Sequence, residues 1–391
     1  MAADRHIAIA GGGVAGLTTA LAIAGSETRV TVFEQAERFE EVGAGLQVSP
    51  NAWRILEALG IADQLLPRSV APQAIQMRRG RDGRQIARVP LGRTAEDRWG
   101  APYRVVHRAD LQTALVEAAD RTPAIALSTG SRIRGFRTTD DGLELSDEAG
   151  SSVACDGLIG ADGLWSNIRA QVAGDGPPVY SGKVAWRATL PEDAMPDGID
   201  PSETGLWLGR DAHLVQYAVR AGQELNVVAI FADRWSEPGW SAPGERDTVI
   251  ARFSDWHPLA RALVAAPETW VKWALADRLP LKRWGRGPVT LAGDAAHPML
   301  PFMAQGAAMG IEDGHVLGQC LSAGVDIEPA FRAYEKRRME RTARVQREAR
   351  HNGEIYHLGS IAGRARDTAL RLMPTDRLLQ RFDWLYGWGR R

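Results

Sequence analysis

Cysteine, net charge and long apolar runs are all scarce in this chain of 391 residues. The two cysteines, Cys155 and Cys320, are too few and too far apart for a disulfide framework or a zinc knuckle, which favours a reducing, cytoplasmic compartment. A formal net charge of -1 gives no field that would attract nucleic acid. No uninterrupted stretch reaches the roughly 20 apolar residues that a membrane helix needs. We therefore expect neither nucleic acid nor a membrane span.

The first residues of the chain follow a strand, loop, helix, strand pattern. An apolar run of strand length at 6–10 precedes a glycine-rich loop, an apolar helical stretch extends to about residue 24, and a β-branched run occupies 29–33. This pattern predicts a parallel sheet with helices packed on it and a right-handed crossover. Because the chain is long, we expect two to three domains or one large one.

The loop has the spacing Gly11-x-Gly13-x-x-Gly16. The first glycine permits the tight turn, the second lets the backbone approach a pyrophosphate, and the third lets the helix pack on the sheet. Glu34 ends the second strand, where a carboxylate accepts hydrogen bonds from a ribose. The loop predicts dinucleotide binding, but these residues alone do not distinguish FAD from NAD.

Two later strands also end at glycine and aspartate. A run at 153–160 stops at Ala161-Asp162-Gly163, and a run at 289–292 stops at Gly293-Asp294. Open α/β sheets bind their ligands beyond the carboxyl ends of such strands. We therefore expect the chain to return three times to one site. His297 follows Asp294 by three residues, but a third ligand of suitable spacing is missing, so we predict a structural hydrogen bond and no metal.

Between these returns the pattern changes to short strands with hairpin-like turns, at 184–190, 204–208, 213–219 and 224–232. They predict an inserted antiparallel sheet. His213 and Tyr217 are four residues apart in one strand and should project to the same face, over the ligand. Helical spacing returns at 329–350. Its eight Arg or Lys residues against three Glu predict a solvated face rather than a nucleic-acid arm.

Several motifs together resemble the single-component flavin-dependent aromatic hydroxylases, particularly the salicylate and 3-hydroxybenzoate hydroxylase group. The matching stretches, which cover nearly the whole chain, are Gly11 to Gly16, Phe33-Glu34-Gln35, Gly43-Ala44-Gly45-Leu46-Gln47, Pro50-Asn51-Ala52, His107 to Leu111, Asp162-Gly163-x-x-Ser166-x-x-Arg169, Leu291 to Pro298, Ala304 to Met309, Glu312-Asp313 and Tyr334-Glu335. The resemblance implies tightly but non-covalently bound FAD. It also implies that NAD(P)H docks transiently and that O2 hydroxylates a phenolic or heteroaromatic ring through a flavin C4a-hydroperoxide.

The resemblance also suggests the site residues. His213 would accept or share the phenolic proton, and Gln305 and Tyr217 would orient the ring. The implied cofactor-binding positions are Gly11, Gly13, Val14, Ala15, Gly16, Glu34, Gln35, Gly45, Gln47, Arg108, Asp162, Arg169, Gly293, Asp294, Pro301, Gly306, Ala307 and Ala308. Gly306 opens a helix whose N–H groups can stabilise negative charge on the flavin. Arg187 and Arg220 are both candidates for holding a substrate carboxylate.

The expected fold is α/β, and α+β overall: a Rossmann-like FAD-binding domain with a parallel sheet, an inserted antiparallel-sheet substrate domain and C-terminal helices. We predict an FAD-binding domain at 1–70, 101–180 and 278–345, a substrate-binding domain at 71–100 and 181–277, and a C-terminal helical segment at 346–391. A monomer or a homodimer is expected. The alternative functions are a non-hydroxylating flavoprotein reductase and a non-enzymatic flavin-binding protein.

Overall fold

The site lies between two β-sheets, one of five strands and one of eight. A computed structural model describes residues 5–25, 27–39, 45–321 and 325–390. These ranges contain eighteen strands: β1 (Arg5–Ala10), β2 (Thr28–Phe33), β3 (Gly45–Val48), β4 (Ala74–Arg79), β5 (Gln85–Pro90), β6 (Arg104–His107), β7 (Ile125–Ser128), β8 (Ile133–Thr139), β9 (Gly142–Asp147), β10 (Ser152–Cys155), β11 (Gly157–Gly160), β12 (Val179–Pro191), β13 (Glu203–Gly209), β14 (Ala212–Val219), β15 (Glu224–Ala232), β16 (Ser241–Gly244), β17 (Trp270–Asp277) and β18 (Val289–Leu291).

Helices pack on both sheets and close the carboxyl-terminal end. Within the same ranges they are α1 (Val14–Ile23), α2 (Pro50–Ala58), α3 (Ala62–Leu65), α4 (Arg93–Trp99), α5 (Arg108–Asp120), α6 (Asn167–Ala173), α7 (Arg246–Arg252), α8 (Pro258–Ala265), α9 (Gly306–Cys320), α10 (Ile327–Tyr356), α11 (Ser360–Leu372) and α12 (Thr375–Tyr386). None of these described helices combines the length and apolarity that a membrane crossing requires.

The five-stranded sheet is parallel throughout, in the order β18-β11-β1-β2-β7. Its central strands are apolar and buried on both faces, as parallel sheets require. Strands β1, β11 and β18 are neighbours, so the loops that follow them meet at one edge. The predicted parallel sheet and the convergence of three chain segments are both confirmed.

The apolar run at 153–160 is two strands rather than the single strand predicted. Strand β10 pairs with β9 in a separate three-stranded antiparallel sheet, whereas β11 joins the parallel sheet. Asp156 separates them: its backbone N–H donates to the His6 carbonyl at 2.9 Å, and its carboxylate accepts from the His6 N–H at 2.7 Å. The polar residue interrupts the apolar run because it ties the chain to β1.

The larger sheet has eight strands, in the order β16-β17-β12-β15-β14-β13-β4-β5. Its pairs are antiparallel except for β13 with β4, which is parallel and joins two segments that are far apart in the chain. The predicted hairpin is confirmed, since Val219 pairs with Glu224 across the turn at 220–223. Strands β4 and β5 fall inside the 71–100 segment assigned to the substrate domain. The domain boundaries themselves stay a prediction.

Helix α10 has a different environment from the one predicted. The basic stretch at 332–350 is only partly a solvated face, because Arg338 is fully buried and Arg341 is nearly so. Arg350 pairs with Asp277 at the end of β17. The helix turns part of its charge inwards because buried carboxylates on neighbouring elements face it, which a reading of one helix alone does not reveal.

Candidate active site

Loops after β1, β11 and β18 enclose a cavity of about 370 Å3. Gly13, Ala161 and Gly293 represent these three loops in its wall, and α9 and the eight-stranded sheet complete it. Of the predicted cofactor positions, those that line the cavity are Gly13, Val14, Ala15, Gly45, Gln47, Arg108, Gly293, Asp294, Pro301, Gly306 and Ala307. Gly43 and Ala44 of the quoted motif lie outside the described residues.

The glycine loop between β1 and α1 has the tight geometry that a pyrophosphate needs. A Cβ on Gly11, where φ is +108°, would lie 2.3 Å from the Ala161 carbonyl oxygen, and one on Gly16 would lie 2.0 Å from the Gly11 oxygen. A Cβ on Gly13 would meet nothing within 4 Å, so the loop is open on the cavity side. No side chain caps the first turn of α1, whose N–H groups are therefore available to an anion. These features fit FAD.

Glu34 lies beside the same loop. Its carboxylate accepts from the Gly12 N–H at 2.9 Å and from the Ala36 N–H at 3.0 Å. Each carboxylate oxygen keeps a further acceptor position, so a ribose hydroxyl can still bind there. Gln35 is exposed next to it. The acid both shapes the loop and remains suited to the adenosine end of FAD.

The amino terminus of α9 points its first turn at the cavity. Gln305 is the N-cap residue and makes no capping hydrogen bond with its side chain, while Gly306 and Ala307 line the wall. Ala308 was predicted to bind cofactor, but its side chain is 1% exposed and packs in the core with Ala52. The Ala308 side chain therefore lies on the side of the helix that faces α2, and cofactor binding at this residue stays a prediction.

Asp294 lines the cavity, and its side chain is exposed there. Burial within the fold raises the pKa of this carboxyl, while His297 and Arg108 oppose that shift. Arg108 lines the same cavity and is itself exposed. The two side chains are available to a polar ligand such as the ribityl chain of FAD.

Two of the predicted cofactor residues make hydrogen bonds within the protein. The side chain of Arg169 is fully buried, with Nε 2.9 Å from Asp175 and Nη1 3.0 Å from the carbonyls of both Ala295 and Ala296. It fastens α6 to the loop that follows β18. These bonds give Arg169 a structural role, and its predicted contact with FAD stays a prediction.

Asp162 is the second such residue. Its carboxylate accepts from the backbone N–H groups of Asn167 at 2.8 Å and Ile168 at 3.3 Å, and from the Ser166 hydroxyl. The carboxylate therefore stabilises the start of α6, as a capping acid does. The predicted contact of Asp162 with the cofactor stays a prediction, and neighbouring Gly163 lines the cavity.

The wall opposite the glycine loops is formed by β14 of the larger sheet. His213, Val215 and Tyr217 all line the cavity, so the predicted common face of His213 and Tyr217 is confirmed. The Tyr217 hydroxyl donates to the Gly45 carbonyl at 2.7 Å, and burial raises its pKa to about 12 despite Arg187 nearby. Tyr217 therefore stays neutral and fixes β3 against β14.

Gln305 was predicted to lie beside the substrate hydroxyl. It lines the cavity, but its amide N–H donates to the Ser49 hydroxyl at 3.0 Å and its oxygen accepts from the Asn51 amide at 3.3 Å. These bonds hold the start of α9 against α2. The predicted contact with substrate stays a prediction, and the polar atoms of Gln305 now serve the protein.

Arg187 projects from β12 into the same cavity. Among the residues that the structure describes, no carboxylate pairs with its guanidinium, and its buried Nε has no hydrogen-bond partner. The group lies 5.0 Å from the Trp273 ring centroid. Burial lowers its pKa, Tyr217 opposes this shift, and Arg108 adds to it. Arg220, the other candidate, is 3.7 Å from Glu224 and does not line this cavity.

A second cavity, of about 480 Å3, continues from the first towards α11 and α12. Gln47, His213, Val215, Pro301 and Ala304 line both. The rest of its wall is largely apolar and aromatic, with contributions from β4, β13, α10 and the C-terminal helices. His213 therefore lies where the two cavities meet.

A buried network of charged residues supports the wall of the first cavity. The sequence alone did not predict that these residues form one network. Arg338 is bonded to Glu312 and, at 2.7 Å, to Asp313, while Arg341 also pairs with Glu312. Burial would raise the pKa of both carboxyls, but Arg338 and Arg341 keep the pKa of Glu312 below its ordinary value, and His297 and Arg338 do the same for Asp313. His297 Nε2 lies 2.6 Å from Asp313, which confirms its predicted structural hydrogen bond.

The network reaches the cavity through two further hydrogen bonds. Asp313 accepts from the Gly293 N–H at 2.9 Å, and Glu312 accepts from the Asn51 amide at 2.7 Å. Asn51 in turn contacts Gln305. The adjacent acids in Glu312-Asp313 were part of the quoted motif, but only the fold places both against arginines from one helix.

Comparison with known proteins gives the family. Residues 4–349 match the model of the FAD binding domain family. The 3-hydroxybenzoate 6-hydroxylase of Polaromonas naphthalenivorans is 37% identical over 99% of this chain and 97% of its own length. The chain belongs to the FAD-dependent aromatic hydroxylases. The FAD cofactor, the α/β fold with its inserted sheet and the C-terminal helices, all predicted from the sequence, are thereby confirmed.

Two other matches agree with this family. The 3-amino-4-hydroxybenzoate 2-monooxygenase PtnB3 of Streptomyces platensis is 38% identical to this hydroxylase, over 98% of this chain and 96% of that protein. A solved salicylate hydroxylase substrate complex superimposes with a TM-score of 0.85 at 25% identity, covering 99% of this chain and 96% of the other. The resemblance stated from the motifs is confirmed along the whole length.

Proposed function

We propose that this hydroxylase uses NAD(P)H and O2 to hydroxylate an aromatic ring that carries a phenolic hydroxyl and a carboxylate. The observation that carries the proposal is Arg187, a cation without an acidic partner among the described residues, in a cavity that it shares with His213 and Tyr217. A buried guanidinium is costly unless an anion pairs with it, and a carboxylate matches its fork. The relatives' names, which include hydroxybenzoates and salicylate, support this substrate class.

FAD would lie across the three strand ends. We assign the pyrophosphate to the loop formed by Gly11, Gly13, Val14, Ala15 and Gly16, and the adenosine ribose to Glu34 and Gln35. The ribityl chain and the ring system would lie against the wall formed by Gly45, Gln47, Arg108, Gly293, Asp294, Pro301, Gly306 and Ala307. The open first turns of α1 and α9 support this placement, since both direct N–H groups at the cavity.

Electron transfer from NAD(P)H and activation of O2 are the chemistry that bound FAD would supply. The chain's own part is to hold the ring and to move one proton. Arg187 would bind the carboxylate, and His213 Nε2 would take the phenolic proton, which makes the ring a better nucleophile. The apolar walls of the second cavity would keep water away from the reacting atoms. The cytoplasmic location and the monomeric or homodimeric state stay predictions.

The test compares substrates that differ only in the charged group. Purified holoenzyme should oxidise NAD(P)H faster with a hydroxybenzoate than with the matching hydroxybenzamide, and the product mass should rise by one oxygen atom. Arg187→Gln should raise KM for the acid roughly 10- to 100-fold, because a charge-assisted hydrogen bond contributes about 1.5–3 kcal/mol. It should leave KM for the amide unchanged.

Arg137→Gln is the matched control, since Arg137 is exposed on β8 and pairs with Glu144 away from the cavity. This variant should behave as the wild type with both ligands. Equal loss for acid and amide in Arg187→Gln would contradict carboxylate binding by Arg187. Absence of oxygenated product from every phenolic acid would contradict the proposed function.

A further inference from the structure

Two buried histidines from distant parts of the chain share a hydrogen bond at the junction of the two cavities. His213 lies on β14, and His357 directly follows α10. The distance from His213 Nδ1 to His357 Nε2 is 2.8 Å. Phe302 and Tyr356 flank His213, each with its ring centroid 5.5 Å away. Apolar rings therefore surround the bond and shield it from water.

The second nitrogen of each ring has no hydrogen-bond partner among the residues that the structure describes. Within the described ranges no residue bonds to His213 Nε2, and His213 lines both cavities. His357 is 9% exposed against 2% for His213, and its backbone carbonyl accepts from Asp211 in the surface turn before β14. The pair therefore leads from the cavity wall to a position directly beneath the surface turn that contains Asp211.

Both rings are held neutral. Burial lowers the pKa of His213 well below its ordinary value, with His357 and Lys183 adding to the shift. Burial also lowers the pKa of His357 to about 4; Lys183, Arg252 and Arg366 contribute, and Asp211 alone opposes them. If His213 kept the proton, it would become an imidazolium close to other cations, and its burial makes that charged form unfavourable. Any proton that enters at His213 must therefore leave.

We propose that His213 and His357 form a proton relay that carries the phenolic proton of the bound substrate from the cavity to solvent. The inference rests on the proposed function, because it requires a phenolic ligand. A hydrogen bond between two neutral imidazoles needs one donor and one acceptor, so the two rings hold matched tautomers. The starting arrangement has hydrogen on His213 Nδ1 and on His357 Nδ1.

The transfer is balanced and leaves no charge on the protein. The phenolic O–H bond breaks and a bond forms from hydrogen to His213 Nε2. The hydrogen on His213 Nδ1 passes to His357 Nε2, and the hydrogen on His357 Nδ1 passes to water. The ligand becomes a phenolate, both imidazoles stay neutral with exchanged tautomers, and the proton is in solvent. His357 acts through His213 and is a positioning and relay residue.

The test follows the proton directly. Holoenzyme without NAD(P)H is mixed with 3-hydroxy-4-nitrobenzoate, whose phenol and phenolate forms differ in visible absorbance, and phenolate formation is followed by stopped flow. His357→Gln keeps a group that can bond to His213 Nδ1 but cannot pass a proton on. We expect at least about a tenfold slower formation of bound phenolate with a smaller change in probe affinity, since proton transfer by a positioned group is worth at least that factor.

Two further variants test whether the slower rate comes from loss of the relay. His351→Gln makes the same substitution at an exposed position of α10 and should leave the rate unchanged. In His357→Ala, added imidazole should restore part of the rate by occupying the vacated space. A wild-type rate in His357→Gln would overturn the relay and leave His357 with a structural role only.

A measurement on the protein without any ligand tests the relay even if the probe does not bind. In wild-type protein, 15N NMR of the histidine rings should show a neutral pair that shares one N–H between Nδ1 of His213 and Nε2 of His357. The shared signal should vanish in His357→Gln. A protonated pair at neutral pH, or two rings without a shared hydrogen, would overturn the relay. If the wild type fails to bind the probe, the proposed substrate class fails, and the NMR result decides the relay separately.

Discussion

At the scale of single residues, the protein uses polar atoms that the sequence assigned to ligands. Arg169 was expected beside FAD but is bonded to Asp175 and to two backbone carbonyls. Gln305 was expected beside substrate but is bonded to Ser49 and Asn51. Arg187 differs from both, because it has no acidic partner among the described residues and its buried Nε makes no hydrogen bond. The contrast arises because a motif fixes a residue's place, whereas its partners come from other parts of the chain.

The depressed pKa of His357 gives a stability prediction. Between pH about 4 and 6.5 this histidine is protonated in the unfolded chain but not in the folded one. Unfolding therefore takes up a proton, and the free energy of unfolding falls as the pH is lowered through this window. The contribution approaches about 1.4 kcal/mol per pH unit. His357→Gln should remove it and give a shallower dependence in urea unfolding between pH 7 and 5.

His351→Gln is again the control, because His351 is exposed and should leave the slope as in the wild type. His213 also has a lowered pKa and stays in both variants, so part of the dependence should remain in His357→Gln. An identical slope in wild type and His357→Gln would mean that His357 titrates in the folded protein as it does in the unfolded chain.

At the scale of elements, the close packing of α9 on α1 shapes the cavity. Gly310, Gly314 and Gly318 repeat every four residues and so share one face of α9. A Cβ on Gly314 would lie 2.8 Å from the Thr19 nitrogen, and one on Gly310 would lie 2.8 Å from the Ala15 Cβ. The two helices, both with open first turns at the cavity, can approach only because this face lacks side chains.

Gly314→Ala should therefore destabilise the protein. The added methyl group meets the backbone of α1, and such overpacking costs about 1–3 kcal/mol, more than the gain in helix propensity. Gly306→Ala is the matched control in the same helix, since its Cβ would meet only Asp294, at 3.9 Å. We expect urea unfolding of the apoprotein to show the loss for Gly314→Ala alone, while FAD titration shows weaker binding for Gly306→Ala. Equal stability of the two variants would contradict this account.

At the scale of the whole molecule, one charge network joins the layers. Arg338 and Arg341 on α10 neutralise Glu312 and Asp313 on α9, and Arg341 also donates to the carbonyls of Trp384 and Leu385 in α12. Through Gly293 and Asn51 the same acids hold two walls of the cavity. The C-terminal helices are thus tied to the FAD-binding loops.

Arg338→Met should destabilise the whole protein and weaken FAD binding. It leaves two buried carboxylates with fewer partners, and breaking a buried ion pair in this way costs about 3–5 kcal/mol. Arg337→Met, one position along, removes an exposed arginine that bonds to Gln319 and Cys320. Urea unfolding and FAD titration should show both losses in the first variant and neither in the second. A stable Arg338→Met that binds FAD normally would contradict the role given to the network.

Much of the fold follows from local pattern. Strand β1, the glycine loop and α1 were predicted because apolar runs and the spacing of Gly11, Gly13 and Gly16 indicate the same local structure in any α/β protein of this class. The common face of His213 and Tyr217 followed from strand geometry. The break at Asp156 was not predictable, because its reason is a pair of hydrogen bonds to His6, 150 residues earlier.

The sequence by itself determined the parallel sheet and the dinucleotide-binding loops, because both depend on short motifs whose spacing fixes backbone geometry. The FAD cofactor and the aromatic hydroxylase family followed from the resemblance of these motifs to that family. Only the tertiary structure decided that Arg187 lacks an acidic partner among the described residues, that Arg338 is buried between two acids, and that His213 is bonded to His357. These features depend on side chains far apart in the chain. Their burial, charge and hydrogen bonding exist only once the sheets and helices pack together.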